Sequence, residues 1–343
     1  MLHPKTIFLL LCLAVLSINC ENDVKPKIEP IVLVHGGAGT IAESSITGKV
    51  KGVTLAVRMG YKALQKTGSV LDAVQEAVRS MELDDHFNAG YGSVLSWNGE
   101  VEMDAAIQNG ADLSCGCVSV LKNILSPISV ARMVMEKSRH NYLAGEGAMQ
   151  FARCKDVEIL PDGTLVTEKS KIALENFKKA MSNSTLRNNL SWSDLTFGEP
   201  GTVGAVAIDA EGNIAAATST GGMTGKLPGR VGDSPIIGGG TIADNQFVGV
   251  SATGHGETFM RYTVAQKILA LIEFKGFSAQ QASEKVLNDM TARFNETGGV
   301  VSIDAKGGVG IHFTSKHMAW AYRRGSEMHY GITPGEDNVE EVK

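Results

Sequence analysis

One stretch constrains this chain more than any other: GEPGTVGAVAIDAEGNIAAATSTGGMTGKLPGRVGDSP, from Gly198 to Pro235. It opens as two short apolar strands joined by a turn and continues as a long ribbon of Gly, Thr and Ser. Loops this rich in small residues are flexible and costly to order. A mid-chain ribbon crowded with hydroxyls and followed by Arg230 and Asp233 therefore points to a working segment.

The rest of the chain supplies the frame. PIVLVHGGAG is a short apolar run closed by glycines, a buried strand entering a tight loop. Two helical patterns follow, and in the second Val70, Leu71, Val74, Ala77, Val78 and Met81 recur at three and four residues behind Ser69 as N-cap. FNAGYGSVL reads as loop, VEMDAAIQNG and CGCVSVL as strands, and helices are predicted over 127–137, 142–152 and 171–182. Between Asp156 and Pro200 the chain turns polar and irregular, the pattern of a mobile linker, placed over 155–200. The strands TVGAVAIDA, NIAAATST and FVGVSATG come next, then helices over 257–274 and 278–294 and three strands over 299–324. Strands and helices in blocks, without strict βαβ alternation, predict an antiparallel-rich α+β fold with helices covering stacked sheets. No internal repeat is visible.

At 343 residues with 43% hydrophobic and 20% charged side chains, the chain can bury an ordinary core without metal or disulfide help. The net charge of −5 and the scattered Lys and Arg argue against a nucleic-acid partner, which needs a clustered basic face. The first residues differ in kind: Lys5, an apolar run from Ile7 to Ile18 and a polar break fit an export signal over 1–20, followed by a linker over 21–29. Cys20, directly behind the run, is placed for a lipid anchor, although Ser-Ile-Asn before it departs from the small-residue pattern. Exported, secreted, periplasmic or lysosomal locations all suit such a start. Sequons stand at Asn183, Asn189 and Asn295. Cys115-Gly-Cys117 is too tight for a zinc knuckle; with Cys154, these thiols either pair or sit as small buried groups in a strand.

The commonest catalytic motifs fail. Gly37-Ala-Gly39-Thr-Ile-Ala42 follows a strand but lacks the acidic residue about 20 positions on that a dinucleotide site needs. No phosphate-binding Gly-Lys-Ser/Thr loop, G-x-S-x-G elbow or H-E-x-x-H helix is written.

Thr202 stands apart by position. It follows Gly201 at the end of the polar linker and begins an apolar strand. Cleavage of the bond before it would leave a free α-amine, of pKa about 8, beside its own hydroxyl. An N-terminal amine activating its own threonine is one known way to make a weak nucleophile act. Glycine before the scissile bond best tolerates strain there.

HGGAG, FNAGYG, GTVGAVAIDAEGNIAAATSTGGMTGKLPGRVGDSPIIGGG and ATGHGE, in that order, resemble the plant-type L-asparaginase and isoaspartyl peptidase family of N-terminal nucleophile hydrolases, from about Pro30 to Arg324. The resemblance implies a four-layer αββα sandwich made as a precursor that cleaves itself between Gly201 and Thr202. An α subunit (30–201) and a β subunit (202–343) would then form one structural domain, pairing as an (αβ)2 heterotetramer. It implies Thr202 as nucleophile, Thr220 as its hydrogen-bond partner, Thr253 and Gly254 as oxyanion hole and Asn88 as positioning residue. The substrates implied are L-asparagine and β-aspartyl dipeptides. Their α-carboxylate suits the planar donors of Arg230, and their ammonium suits Asp233 with the Gly256 carbonyl. No catalytic cofactor is implied; a structural sodium ion is, held by backbone carbonyls of Met81, Glu82, Asp84, Phe87, Ala89 and Tyr91. Glycosylasparaginase is the competing relative, but it resembles TGNGD and TSTNG where this chain has TGHGE and TSTGG.

Overall fold

The computed structural model describes residues 28–182 and 201–342. The export segment, Cys20, and the sequons at Asn183 and Asn189 lie outside the described residues. Asn295 is described, as the left-handed cap (φ 55°) of the helix Ala279–Phe294.

The fold is mixed, with two sheets flanked by helices. The larger sheet has nine strands in the order β13-β12-β11-β1-β5-β6-β2-β3-β4, with β1 at Ile31–Gly39, β2 at Met103–Asn109, β3 at Cys115–Leu121, β4 at Tyr142–Ala144, β5 at Val203–Ile208, β6 at Ile214–Thr220, β11 at His317–Arg324, β12 at Glu327–Gly331 and β13 at Asn338–Glu341. All its pairings are antiparallel except β3 with β4. The smaller sheet runs β10-β9-β8-β7, with β7 at Thr241–Asp244, β8 at Val248–Gly254, β9 at Gly298–Asp304 and β10 at Val309–Phe313.

The sequence explains why the opening hairpin is central. β5 and β6 carry apolar or small side chains at nearly every position, so neither face can meet water, and every residue in both is buried. Their turn is closed by Asp209, whose Oδ1 accepts from Glu211 N (3.0 Å) and Asn213 N (2.8 Å). One face of the large sheet packs on the helices α1 (Glu43–Thr67), α2 (Val70–Glu82) and α3 (Pro127–Lys137), forming the largest core. Its other face meets the small sheet through Ile31, Leu33, Val206, Ile208 and Ile214 against Ala243, Val301 and Ile303. The small sheet is covered beyond by α7 (Val264–Lys275) and α8 (Ala279–Phe294), which share a separate core with it. Among the described residues no helix is long and apolar enough to cross a membrane.

Several boundaries differ from those predicted. Tyr142–Ala144 is an edge strand, and the helix behind it is α4 at Gly145–Cys154, because Gly145 at φ 54° turns the chain first. The segment predicted as linker, 155–200, holds turns over 155–167 and α5 at Glu168–Ser182, three residues longer at its start than the helix predicted over 171–182, and 183–200 lies outside the described residues. The helix predicted over 257–274 is two: α6 (Gly256–Tyr262) and α7, broken where Thr263 takes φ 50°. β7, β12 and β13 were not anticipated; the last two hold the sheet edge beyond Arg324. Cys115 and Cys117 are free, buried thiols within β3, and Cys154 is free and exposed.

Candidate active site

Thr202 stands at the mouth of β5. The register pairs Val203 with Ser219 and Asp104 with Thr220, which brings Thr202 to the end of β6. Thr202 Oγ1 donates to Thr220 Oγ1 at 3.0 Å, and Thr220 Oγ1 accepts the N–H of Gly222 at 2.9 Å. Asn88 binds both flanks of the pair. Its N–H donates to the Gly201 carbonyl (3.1 Å), and its carbonyl accepts from Gly221 N (2.9 Å). Its side chain donates from Nδ2 to the Gly222 carbonyl (2.7 Å) and accepts from Val94 N (3.0 Å). Gly201 is pressed onto this residue so closely that a Cβ would stand 2.5 Å from Asn88 N. Only glycine fits there.

Thr253 and Gly254 come from the facing sheet, at the end of β8. Thr253 Oγ1 accepts the N–H of Ala38 (3.2 Å), tying it to the HGGAG bend of β1. Gly254 has φ 153°, and a Cβ on it would meet the Phe259 ring at 2.6 Å and Gly298 Cα at 2.8 Å.

The ribbon beyond β6 is stapled along its length. Gly225 N donates to Leu95 O (2.8 Å), Trp97 N to Lys226 O (2.7 Å) and Gly229 N to Glu102 Oε2 (2.8 Å); Lys226 Nζ donates to the Glu102 carbonyl (2.6 Å). At its end Arg230 and Asp233 converge on Gly256, the first residue of α6: a Cβ there would lie 2.8 Å from Arg230 Nη2 and 2.9 Å from Asp233 Oδ1. Arg230 does not form a surface pair with Asp233. Its ion-pair partner is Glu257, through Nε to Oε1 (2.9 Å) and Nη2 to Oε2 (2.8 Å). Asp233 is buried with Oδ2 unpartnered. Burial pushes its carboxyl up to about 7, partly opposed by the positive charge of Arg230. Asp233 Oδ1 lies on the Gly256 side with Arg230 Nη2, and the unpartnered Oδ2 faces Gly240.

Comparison with known proteins gives the family. A family model described as asparaginase covers residues 28–332. The chain belongs to the asparaginase family. Relatives cover most of it: a probable isoaspartyl peptidase/L-asparaginase of Drosophila pseudoobscura pseudoobscura is 49% identical over 311 residues, 88% of this chain and 96% of its own. The isoaspartyl peptidase/L-asparaginase of Danio rerio is 43% identical over 92% of this chain and 98% of its own. That of Homo sapiens is 42% identical, covering 92% of this chain and 100% of its own.

In this asparaginase-family chain the sequence pattern left several site residues unnoticed. His35 Nε2 bonds Ser251 Oγ (2.8 Å), which bonds Thr218 Oγ1 (2.7 Å), which accepts from Thr241 Oγ1 (2.6 Å), a polar chain buried between the sheets. Burial lowers the His35 pKa to about 3, offset by the backbone of Thr202, so the ring is neutral. Glu82, at the end of α2, is buried and accepts from Ser219 Oγ (2.6 Å), Ser126 Oγ (2.6 Å) and Ile128 N (3.0 Å). Glu257 is the third. It lay in the quoted TGHGE motif, where its type marked the branch and its spacing gave no sign of Arg230.

The loop from Met81 to Tyr91 offers a run of backbone carbonyls as oxygen ligands. The carbonyls of Asp84 and Ala89 each accept one turn bond, from Phe87 N (3.1 Å) and Gly92 N (3.2 Å), whereas Met81 O accepts from both Asp84 N (3.2 Å) and Leu83 N. A carbonyl has a second lone pair, so Asp84 O and Ala89 O are left able to ligate. The Glu82 and Phe87 carbonyls lie where Cβ atoms on Gly90 and Gly92 would stand, 2.2 and 2.0 Å away, so the loop wraps tightly on glycines. This donor set fits a hard cation. The side chains of half-buried Asp84 and exposed Asp85 and His86 cluster separately, with Asp84 Oδ1 engaged by His86 N (3.0 Å) and Nδ1 (2.6 Å).

Proposed function

We propose that this chain is an N-terminal threonine hydrolase that splits L-asparagine into aspartate and ammonia and β-aspartyl dipeptides into aspartate and an amino acid. The observation that carries the reading is Thr202, placed directly behind a glycine, with Oγ1 bonded to Thr220 and the preceding carbonyl bonded to Asn88 N–H. Membership of the asparaginase family and the names of its relatives support the substrate class. The helices and facing sheets are read as the αββα sandwich of N-terminal nucleophile hydrolases.

In processing, Thr202 Oγ attacks the Gly201 carbonyl carbon. The oxygen of that carbonyl gathers negative charge facing the Asn88 N–H donor, the Oγ proton passes to the Thr202 nitrogen, and the C–N bond breaks to give an ester and a free amine. Water then releases the new N-terminus. In turnover the amine, with pKa about 8, takes the proton from Oγ as it attacks the side-chain amide. Thr220 orients the hydroxyl, and Thr253 Oγ1 with Gly254 N–H receives the developing oxyanion. Ammonia or the amino acid leaves with that proton, and water cleaves the aspartyl ester. Arg230 seats the α-carboxylate, and ionised Asp233 with the Gly256 carbonyl seats the ammonium. The Met81–Tyr91 carbonyls would hold sodium, whose charge would fix the loop leading to Asn88.

After cleavage the subunits 30–201 and 202–343 stay together, and two such units associate. Export rests on the apolar run Ile7–Ile18, which lies ahead of the family match. Intact-mass analysis with an ammonia assay tests the reading. The expected result is a cut before Thr202 and ammonia from L-asparagine, both absent in Thr202→Ala. Ammonia release by that variant refutes the mechanism.

A further inference from the structure

Glu257 has no part in the reaction as derived, yet it holds the residue that would receive the substrate carboxylate. A guanidinium has two usable edges: the side formed by Nε and one Nη, and the end formed by Nη1 and Nη2. Glu257 takes the side edge with two bonds, Nε to Oε1 at 2.9 Å and Nη2 to Oε2 at 2.8 Å. It leaves both Nη1 protons and the second Nη2 proton.

Three glycines border the end edge, and the Lys226 ammonium, 2.9 Å from where a Cβ on Gly222 would stand, is the charged side chain beside it. A Cβ added to Gly232 would stand 2.8 Å from Nη1, one on Gly222 3.3 Å from Nη1, and one on Gly256 2.8 Å from Nη2. Gly256 also adjoins Asp233 Oδ1, so the free edge of Arg230 and the buried carboxyl of Asp233 border the same glycine-lined space. Burial is graded in the matching sense. The Arg230 side chain is 15% exposed and that of Glu257 41%, so the glutamate closes the pair from the solvent side. Around it, His255 Nε2 lies 3.7 Å from Glu257 Oε2, and His255 Nδ1 is within 3.2 Å of Thr258 Oγ1.

We propose that Glu257 is a positioning residue for amino-acid recognition: it clamps Arg230 by its side edge and so presents the end edge to the α-carboxylate of the substrate. This rests on reading Arg230 as the carboxylate clamp. Arginine carries many rotamers, and a flat two-pronged donor is useful only when its plane is fixed before the ligand arrives. The arrangement also accounts for glutamate in ATGHGE, since the side chain must reach from the first turn of α6 to both Nε and Nη2.

The test compares the wild-type enzyme with Glu257→Gln and Glu257→Asp, reading processing on a gel, KM and kcat for L-asparagine, and Ki for L-aspartate as product inhibitor. Loss of one charge-assisted pair predicts a rise of about tenfold in both KM and Ki for Glu257→Gln, with kcat within about twofold and processing unchanged. Glu257→Asp, with the charge kept and the reach shortened, falls between. KM and Ki do not depend on the amount of folded enzyme, so a merely structural role would lower the apparent kcat and leave them in place. Unchanged constants overturn the proposal, and so do lowered ones, which would make Glu257 a competitor for the guanidinium. A wild-type chain that neither splits nor releases ammonia overturns the underlying reading, and the proposal with it.

Discussion

Thr202 Oγ1 and Thr220 Oγ1 are 3.0 Å apart, and the second hydroxyl also accepts the Gly222 N–H at 2.9 Å. Thr220 therefore fixes its partner's rotamer while being fixed itself by the start of the ribbon. Thr220→Val keeps the shape and removes both bonds. Misplacing the attacking oxygen costs about 100-fold, so processing and turnover should both slow by about that factor. Time courses of precursor splitting and of ammonia release from the matured fraction check it; a variant that matures and turns over at the normal rate contradicts the role.

Gly256→Ala isolates the substrate pocket. Gly256 is not among the glycines with left-handed φ, so alanine fits the backbone. Its methyl would lie 2.8 Å from Arg230 Nη2 and 2.9 Å from Asp233 Oδ1, in the space assigned to the amino-acid end of the substrate. KM for L-asparagine should rise by about tenfold or more, since pushing the clamp off its geometry forfeits a charge-assisted contact. Processing, which uses no external substrate, should continue. Equal KM in variant and wild type would place the substrate elsewhere.

Much of this was legible before any coordinates, for identifiable reasons. The β5–β6 hairpin is written in local terms, two apolar runs around Asp209 and Gly212, and the N-cap at Ser69 is met by Asp72 N at 3.2 Å. Thr202, Arg230 and Asp233 are marked by neighbours in the chain. What escaped depends on long-range pairing. His35 meets Ser251 across 216 residues, and Ser219 meets Glu82 across 137. No spacing rule reports such partners. The break at Thr263 escaped for the opposite reason: a threonine in a helical pattern gives no signal that it will take φ 50°.

Asp233 sets an acid limb on binding. Burial holds its carboxyl near about 7, so in the free enzyme it is partly protonated at neutral pH and gains charge as pH rises. A substrate ammonium favours the ionised form, so the complex titrates lower. Inhibition by L-aspartate, which does not need the Thr202 amine as base, should therefore tighten between about pH 6 and about pH 8 and then level off. The quantity kcat/KM should rise over the same range and continue into the titration of the amine. A flat Ki across that range would remove Asp233 from ammonium binding.

Glu82 ties stability to the same part of the fold. Its carboxyl is driven up from 4.5 to about 7 by burial, against the opposing pull of bonds from Ser126, Ser219 and Ile128 N. The folded form thus holds a proton that the unfolded form releases between those values. Its contribution to stability is full below 4.5 and is lost as pH rises through about 7. Glu82→Gln keeps the shape and cannot titrate, so the difference in Tm between wild type and this variant should move against the wild type from about pH 5 to about pH 8. Glu82→Ala leaves Ile128 N–H and the Ser219 hydroxyl without their acceptor, while Ser126 keeps Ser129 Oγ at 3.1 Å, and should cost about 1–3 kcal/mol for each group left unsatisfied. Because Ser219 directly precedes Thr220, the alanine variant should also slow processing, whereas Glu82→Gln should mature almost normally. Thermal melts at the two pH values and a maturation time course decide it; equal Tm differences at both would show that Glu82 keeps one protonation state throughout.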